Sequence, residues 1–241
     1  MKILSIGNSF SQDAHRYIHR LAAAEGVNIK TVNLYIGGCS LRRHYINMLE
    51  GLKDYSFEFN GQSTGLRVSI TDALASDEWD VVTLQQVSHK SYDIDSYTPY
   101  LEALADLVRE YCPKAKLLMH NTWAYEDGSA RLAACGFDAA ENMLSKACIA
   151  YKAAADMIDA DGIIPAGEAM MAAVRGGIGK IHRDSFHASL GAGRYLLALT
   201  WYGYLTGADI SANSFSELDE PITDAEREIL INAARSALGQ K

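Results

Sequence analysis

Lys2-Ile3-Leu4-Ser5-Ile6-Gly7-Asn8-Ser9-Phe10 opens the chain with a short apolar run that stops at a glycine and two small polar residues. Beyond it Ala14, Ile18, Leu21 and Ala22 recur at helical spacing. The stretch therefore reads as a strand over Lys2 to Ile6, a turn at Gly7-Asn8-Ser9, and an amphipathic helix. Short apolar runs alternating with longer amphipathic stretches are the pattern of an α/β fold with a mostly parallel sheet, and the alternation continues along the chain.

Working outward, Asn28 to Tyr35 is the second strand, ended by Gly37-Gly38, and a helix follows through Tyr45, Met48 and Leu49. Tyr55 to Gly65 reads as an irregular insertion compatible with a hairpin. Ser69, with Asp72 three residues on, caps a short helix that runs to Ala75. Asp80-Val81-Val82-Thr83-Leu84 is nearly all apolar after its Asp, as expected of a strand buried on both faces, and it runs into Gln85-Gln86. Thr98-Pro99 starts a helix whose inner face is Leu101, Leu104, Ala105 and Val108. Lys116 to His120 is the fourth strand, with Asn121-Thr122-Trp123 at its end. An Ala-rich helix over Asp138 to Ala160, a short strand at Gly162 to Pro165, and helices over Ala166 to Val174 and Ala188 to Leu205 complete the alternation. Thr223-Asp224-Ala225-Glu226 is a capping box for a terminal helix. With no repeat, low-complexity stretch or linker, residues 1–241 read as a single domain.

The 241 residues carry 22 Lys plus Arg against 30 Asp plus Glu, a net charge of −8 that points away from nucleic-acid partners. At 49% hydrophobic and 22% charged residues the composition is that of an ordinary globular protein. Apolar runs fall short of the roughly 20 residues of a membrane span, and Met1 leads into Ile3-Leu4-Ser5-Ile6-Gly7 without a signal-peptide core. A soluble, cytoplasmic protein is expected, although a chain whose leader had been removed would read the same; the oligomeric state is left open. Cys39, Cys112, Cys135 and Cys148 have neither zinc-site spacing nor disulfide-scaffold density, so reduced thiols are expected, with Cys39 the most notable for its Gly-rich loop.

Polar groups gather wherever a strand ends: Asn8-Ser9, Gly37-Gly38-Cys39-Ser40, Gln85-Gln86-Val87-Ser88-His89 and Asn121-Thr122-Trp123. In an open α/β sheet these loops converge on a ligand crevice. Arg183-Asp184-Ser185-Phe186-His187 adds a fifth cluster. A serine hydroxyl is a weak nucleophile until a base takes its proton, and Ser9 sits where helix N–H groups and the positive dipole end lie beside it. An imidazole acts as general base when a carboxylate holds its other nitrogen, and Asp184 is spaced to do this for His187. For the oxyanion, the backbone N–H groups of Ser9 and Gly38 and the side-chain amide of Gln85 or Gln86 are candidate donors. Phe10 and Trp123 are candidate walls of the substrate pocket, with a core role as the alternative for each.

Gly7-Asn8-Ser9-Phe10, Gly38 after the second strand and Asp184-x-x-His187 near the C-terminus resemble the blocks of the GDSL/SGNH hydrolase family, over nearly the whole chain. The resemblance implies a three-layer α/β/α flavodoxin-like sandwich, Ser9 as nucleophile, His187 as base and Asp184 as its orienter, with neither metal nor organic cofactor. It further implies hydrolysis of a small-molecule ester, here acyl groups such as acetyl on a carbohydrate or other small polar alcohol. The family's Gly-x-Asn-Asp block after the third strand is replaced by Leu84-Gln85-Gln86-Val87-Ser88-His89, which is closer to carbohydrate-esterase branches that use a Gln there. A lipase or thioesterase for longer acyl chains, a non-catalytic binding protein on the same fold, and a phosphoryl-ligand domain are the alternatives.

Other signals are weaker. Gly61-Gln62-Ser63-Thr64-Gly65 matches the nucleophile elbow G-x-S-x-G, but no helix follows the serine directly. Gly176 to Lys180 lacks the first glycine and the Ser or Thr of a phosphate loop. His15 and His19 share a helix face at metal-ligand spacing, and that face is expected to be solvated. Arg42, Arg43, His44, His89 and Lys90 follow strands, His120 ends one, and His182 and Arg183 precede Asp184, which predicts a neutral or basic rim on an acidic protein.

Overall fold

The apolar runs that stop at glycine or polar residues do form strands. The computed structural model describes residues 1–240, and its strands are β1 (Lys2–Gly7), β2 (Lys30–Tyr35), β3 (Tyr55–Phe59), β4 (Gln62–Val68), β5 (Val81–Leu84), β6 (Lys116–His120) and β7 (Gly162–Ile164). They lie in one sheet of order β4-β3-β2-β1-β5-β6-β7. From β2 to β7 every pairing in the sheet is parallel, whereas β3 and β4 form an antiparallel hairpin along one edge. Without that hairpin the strand order is the flavodoxin-like one, and its reversal falls between β1 and β5, where such sheets bind ligands.

Helices α1 (Ser9–Ala24), α2 (Leu41–Glu50), α3 (Ile70–Leu74), α4 (Tyr100–Tyr111), α5 (Ala130–Ala134), α6 (Ala140–Met157), α7 (Ala166–Arg175), α8 (Ala192–Thr206) and α9 (Asp224–Leu238) complete the three layers. The two-residue period of a strand sends alternate side chains to opposite faces. Ile3, Val81, Leu118 and Ile164 pack into a core beneath α1, α7, α8 and α9. Leu4, Ile6, Val82, Leu84, Leu117 and Met119 pack into a second core beneath α2, α3 and α4. Helix α6 serves both, with Met143 and Leu144 in the first and Tyr151 and Ala154 in the second. Helix α8 is apolar nearly all round because it packs against α1, α7 and α9 as well as facing the sheet.

Local expectations hold where the cap chemistry is strong. Ser69 with Asp72 and Thr223 with Glu226 both form capping boxes. Leu101, Leu104, Ala105 and Val108 are the buried face of α4, although Pro99 is its N-cap rather than a residue of its first turn. The Tyr55 to Gly65 insertion is a hairpin that continues to Val68. Gly61 has φ +74° in its turn, and a Cβ there would lie 2.7 Å from the carbonyl oxygen of Arg16 on α1. That close approach explains the glycine of the apparent elbow motif, and Ser63 sits exposed on edge strand β4.

Two expectations are corrected. Ala188 does not start a helix: it pairs with His182 in an isolated bridge, and α8 begins at Ala192. His15 is not on a solvated face, because α8 covers it, and its ring lies edge-on to Trp201 at 5.1 Å. The short helix α5 and the 3₁₀ turns at Ser88–Lys90 and Ile94–Ser96 had no clear periodicity to announce them.

Candidate active site

Asn8 ends β1 with extended backbone and caps α1, its Oδ1 accepting from Phe10 N–H at 2.9 Å. Ser9 is thereby the first residue of the helix, where its N–H has no intrahelical partner and the positive end of the helix dipole is nearest. After β2 the chain turns through Gly37-Gly38, closed by Cys39 N–H to the Ile36 carbonyl at 3.2 Å, with Gly38 at φ +62°. A residue with a Cβ is strained there, which accounts for the glycine. Asn8 Nδ2 donates to the Cys39 carbonyl at 3.0 Å and so ties the two loops together. Among the described residues neither the Ser9 nor the Gly38 N–H has an acceptor, and both residues line the same cleft.

Asp184 and His187 arrive from the far end of the sequence on a small loop. The bridge between His182 and Ala188 closes it, and Arg183 N–H donates to the His187 carbonyl at 3.0 Å. Asp184 Oδ1 accepts from the His187 N–H at 2.9 Å, and Ser185 takes φ +69°, a left-handed conformation unusual outside glycine. This turn sets Asp184 Oδ2 2.8 Å from His187 Nδ1, while His187 Nε2 lies 2.8 Å from Ser9 Oγ. With the carboxylate accepting Nδ1–H, Nε2 of the neutral ring is the acceptor and the Ser9 hydroxyl the donor. Burial acts to raise the Asp184 carboxyl, but the hydrogen bonds from the His187 ring and backbone outweigh it and hold the group below its ordinary 3.8.

Sequence reasoning missed the groups that anchor this loop. Asp13, fully buried on α1, accepts from Arg183 Nη1 at 2.9 Å, Arg194 Nε at 2.9 Å and Ala188 N–H at 3.2 Å. A buried carboxylate is tolerable only with such partners. Its helical i+4 spacing from Ser9 was the one signal available. On the other side Glu126 N–H donates to the Ser185 carbonyl at 2.8 Å.

The cleft has a volume of about 350 Å³ and is lined by Ser9, Gly38 and His187 together with Phe10, Tyr35, Tyr125, Phe186 and their neighbours. Phe10 is in its wall. Trp123 is not: it is buried beneath Phe10, rings 4.1 Å apart, and its indole N–H is used on the Phe186 carbonyl. The glutamines are also corrected, since neither lines the cleft. Gln85 Nε2 donates to Asn8 Oδ1 at 2.8 Å and its Oε1 accepts from His120 Nδ1 at 2.9 Å. Gln86 points to the opposite face, accepting from Leu41 N–H and donating to the Ser96 carbonyl. Gln85 therefore holds Asn8, and through it the two free N–H groups, instead of donating to the cleft.

The expected basic rim is narrower than the sequence suggested. His44 and His120 are fully buried, and burial pushes each down to about 3, so they are neutral. Half-buried His182 bonds the Ala124 carbonyl, Arg43 pairs with Asp54, and Arg42 and Lys90 lie outside the lining. His89 and Arg183 do line the cleft, and Arg131, which the sequence did not single out, joins them. The Cys39 thiol is buried and pushed up to about 12, the opposite of a reactive thiolate. All the cysteines are free, and no His, Cys, Asp and Glu cluster suited to a metal ion occurs among the described residues. No helix among them is long and apolar enough to cross a membrane.

Solved structures of SGNH/GDSL-like hydrolases share this architecture. The chain resembles a candidate SGNH hydrolase from Slackia heliotrinireducens with 24% identity and a TM-score of 0.61, over 85% of this chain and 98% of that one. It also resembles Axe2, an acetylxylan esterase from Geobacillus stearothermophilus, with 18% identity and a TM-score of 0.54, over 83% of this chain and 91% of that one. The chain belongs to the DUF4886 family, a domain of unknown function whose model matches residues 2–237. A crystal structure of a DUF4886 family protein from Bacteroides uniformis is 35% identical with a TM-score of 0.92, covering 99% of this chain and 94% of that one. No curated protein matches the chain.

Proposed function

We propose that the protein is a serine esterase that removes short acyl groups, such as acetyl, from a carbohydrate or other small polar alcohol. The observation that carries this reading is the continuous hydrogen-bonded line from Asp184 Oδ2 through His187 to Ser9 Oγ, 2.8 Å at each step. Ser9 Oγ attacks the acyl carbonyl while His187 Nε2 takes its proton, and Asp184 stabilises the imidazolium. The carbonyl oxygen becomes an oxyanion facing the N–H groups of Ser9 and Gly38, with the α1 dipole adding to them. As the tetrahedral intermediate collapses, the ester C–O bond breaks and His187 delivers the proton to the leaving alcohol. Water, deprotonated by the same nitrogen, then attacks the acyl-enzyme and releases the acid and free Ser9. No step calls for a metal or organic cofactor.

The short-acyl, polar-alcohol preference rests on the cleft. Its lining mixes Asn8, Gln12, Ser88 and His89 with aromatic rings, which suits hydroxyl-rich groups. The more apolar cavity lined by Met170, Met171, Val174 and Ile178 includes neither Ser9 nor His187. The likeness to an acetylxylan esterase supports the same reading. Fluorophosphonate labelling with mass mapping, beside hydrolysis of p-nitrophenyl esters of rising chain length, tests it. Labelling confined to Ser9, turnover highest for acetate, and loss of both in Ser9→Ala are expected. Labelling at Ser63, or none on folded protein, sinks the reading.

A further inference from the structure

Arg131 stands over the cleft with its guanidinium carbon 3.9 Å from the centre of the Phe186 ring, and that ring lies 3.8 Å from the His187 imidazole. Arg131 is exposed and has neither hydrogen bond nor ion pair among the described residues. The other cations of the cleft differ: Arg183 is committed to Asp13, and burial lowers His89. Although the chain carries a net charge of −8, no Asp or Glu is among the residues that line this cleft. A guanidinium without an ionic partner, in a lining that holds no carboxylate, attracts anions, and its planar fork matches a carboxylate in particular.

Resting on the esterase reading above, we infer that the substrate is an ester whose alcohol half carries a carboxylate, bound by Arg131. The choice of half follows from the order of groups in the site. The acyl oxygen turns toward the Ser9 and Gly38 N–H groups, and the leaving oxygen lies by His187 Nε2, which must protonate it. Arg131 is on the His187 side, one aromatic ring away, so it reaches the alcohol half. Stacking on Phe186 limits the freedom of the long side chain where it lines the cleft. An acetylated acidic sugar or hydroxy acid is the chemical class that fits.

The test compares mono-acetylated glucuronic acid with mono-acetylated glucose by acetate release. Wild type prefers the uronate in kcat/KM by about tenfold or more, as a charge-assisted contact predicts. Arg131→Gln brings the ratio near one, Arg131→Lys restores part of it, and raising the ionic strength erodes the wild-type preference. Equal use of the two sugars, or a preference that survives Arg131→Gln, overturns the inference while p-nitrophenyl acetate turnover leaves the esterase reading standing. Failure to hydrolyse any of the three esters overturns both. p-Nitrophenyl hydrogen glutarate against p-nitrophenyl butyrate supplies the last arm. An Arg131-dependent preference for the anion confined to that pair places the charge on the acyl half and overturns the assignment made here.

Discussion

Trp123 donates its indole N–H to the carbonyl oxygen of Phe186 at 2.7 Å, which ties the end of β6 to the loop that carries Asp184 and His187. The same ring stacks on Phe10, the residue after Ser9. One buried side chain thus touches both the α1 start and the loop that meets it. In Trp123→Phe the stack can persist while the hydrogen bond is lost. Stability is expected to fall by about 1 kcal/mol, and kcat for p-nitrophenyl acetate by about tenfold as the imidazole loses its placement. A kcat equal to wild type would show that the loop is held without this bond.

Asp184→Asn leaves the loop hydrogen bonds to an amide oxygen available but removes the charge that stabilises the imidazolium. Steady-state kinetics should show kcat lowered by up to about 10⁴-fold with much less change in KM. Because hydrogen bonding depresses the carboxyl below 3.8, its contribution to folding is present above that value and disappears as pH falls through the native pKa. An Asn variant with a kcat near wild type would remove Asp184 from the proposed mechanism.

Gln85 joins His120 to Asn8 in the interior. Gln85→Leu keeps much of the volume but strands the His120 Nδ1–H and one bond to Asn8 Oδ1. Each buried polar group left without a partner costs about 1–3 kcal/mol. Urea denaturation is the measurement, with a midpoint well below wild type expected, and kcat lowered because Asn8 positions both free N–H groups. An unchanged midpoint would refute the role given to this network.

His15, His44 and His120 are fully buried, and burial lowers each from 6.5 to about 3. Below 6.5 the unfolded chain binds protons that the folded chain refuses, so stability falls as pH drops from 6.5 toward 3, by about 1.4 kcal/mol per pH unit for each ring. His44→Asn retains a polar group near Tyr55 Oη, the partner of His44 Nδ1 at 2.9 Å. Unfolding free energies between pH 6.5 and 5 should depend on pH more shallowly in the variant, by about one proton. Parallel slopes would mean that His44 titrates normally in the fold.

Much of this molecule is written locally. Val81-Val82-Thr83-Leu84 can be satisfied only by burial on both faces, and Thr223 with Glu226 caps a helix wherever it falls. Those signals fixed the alternation of elements, and with it the placement of Ser9 and Gly38 at adjacent strand ends. The burial of His15 was not legible because exposure depends on what packs over a helix. No local pattern in α1 announces α8.

The sequence by itself determined the order of strands and helices and the residues on which the proposed chemistry depends: Ser9 at a helix start, Gly38 in its turn, and Asp184 three residues before His187. Only the tertiary structure decided where side chains separated by most of the chain meet. It turned Gln85 and Gln86 into interior supports, moved Trp123 from the cleft wall to beneath it, buried Asp13 under two arginines, and set Arg131 over Phe186. The reason is physical: backbone conformation and apolar period act over a few residues, whereas the partner of a buried polar group is whatever the packed layers bring within 3 Å.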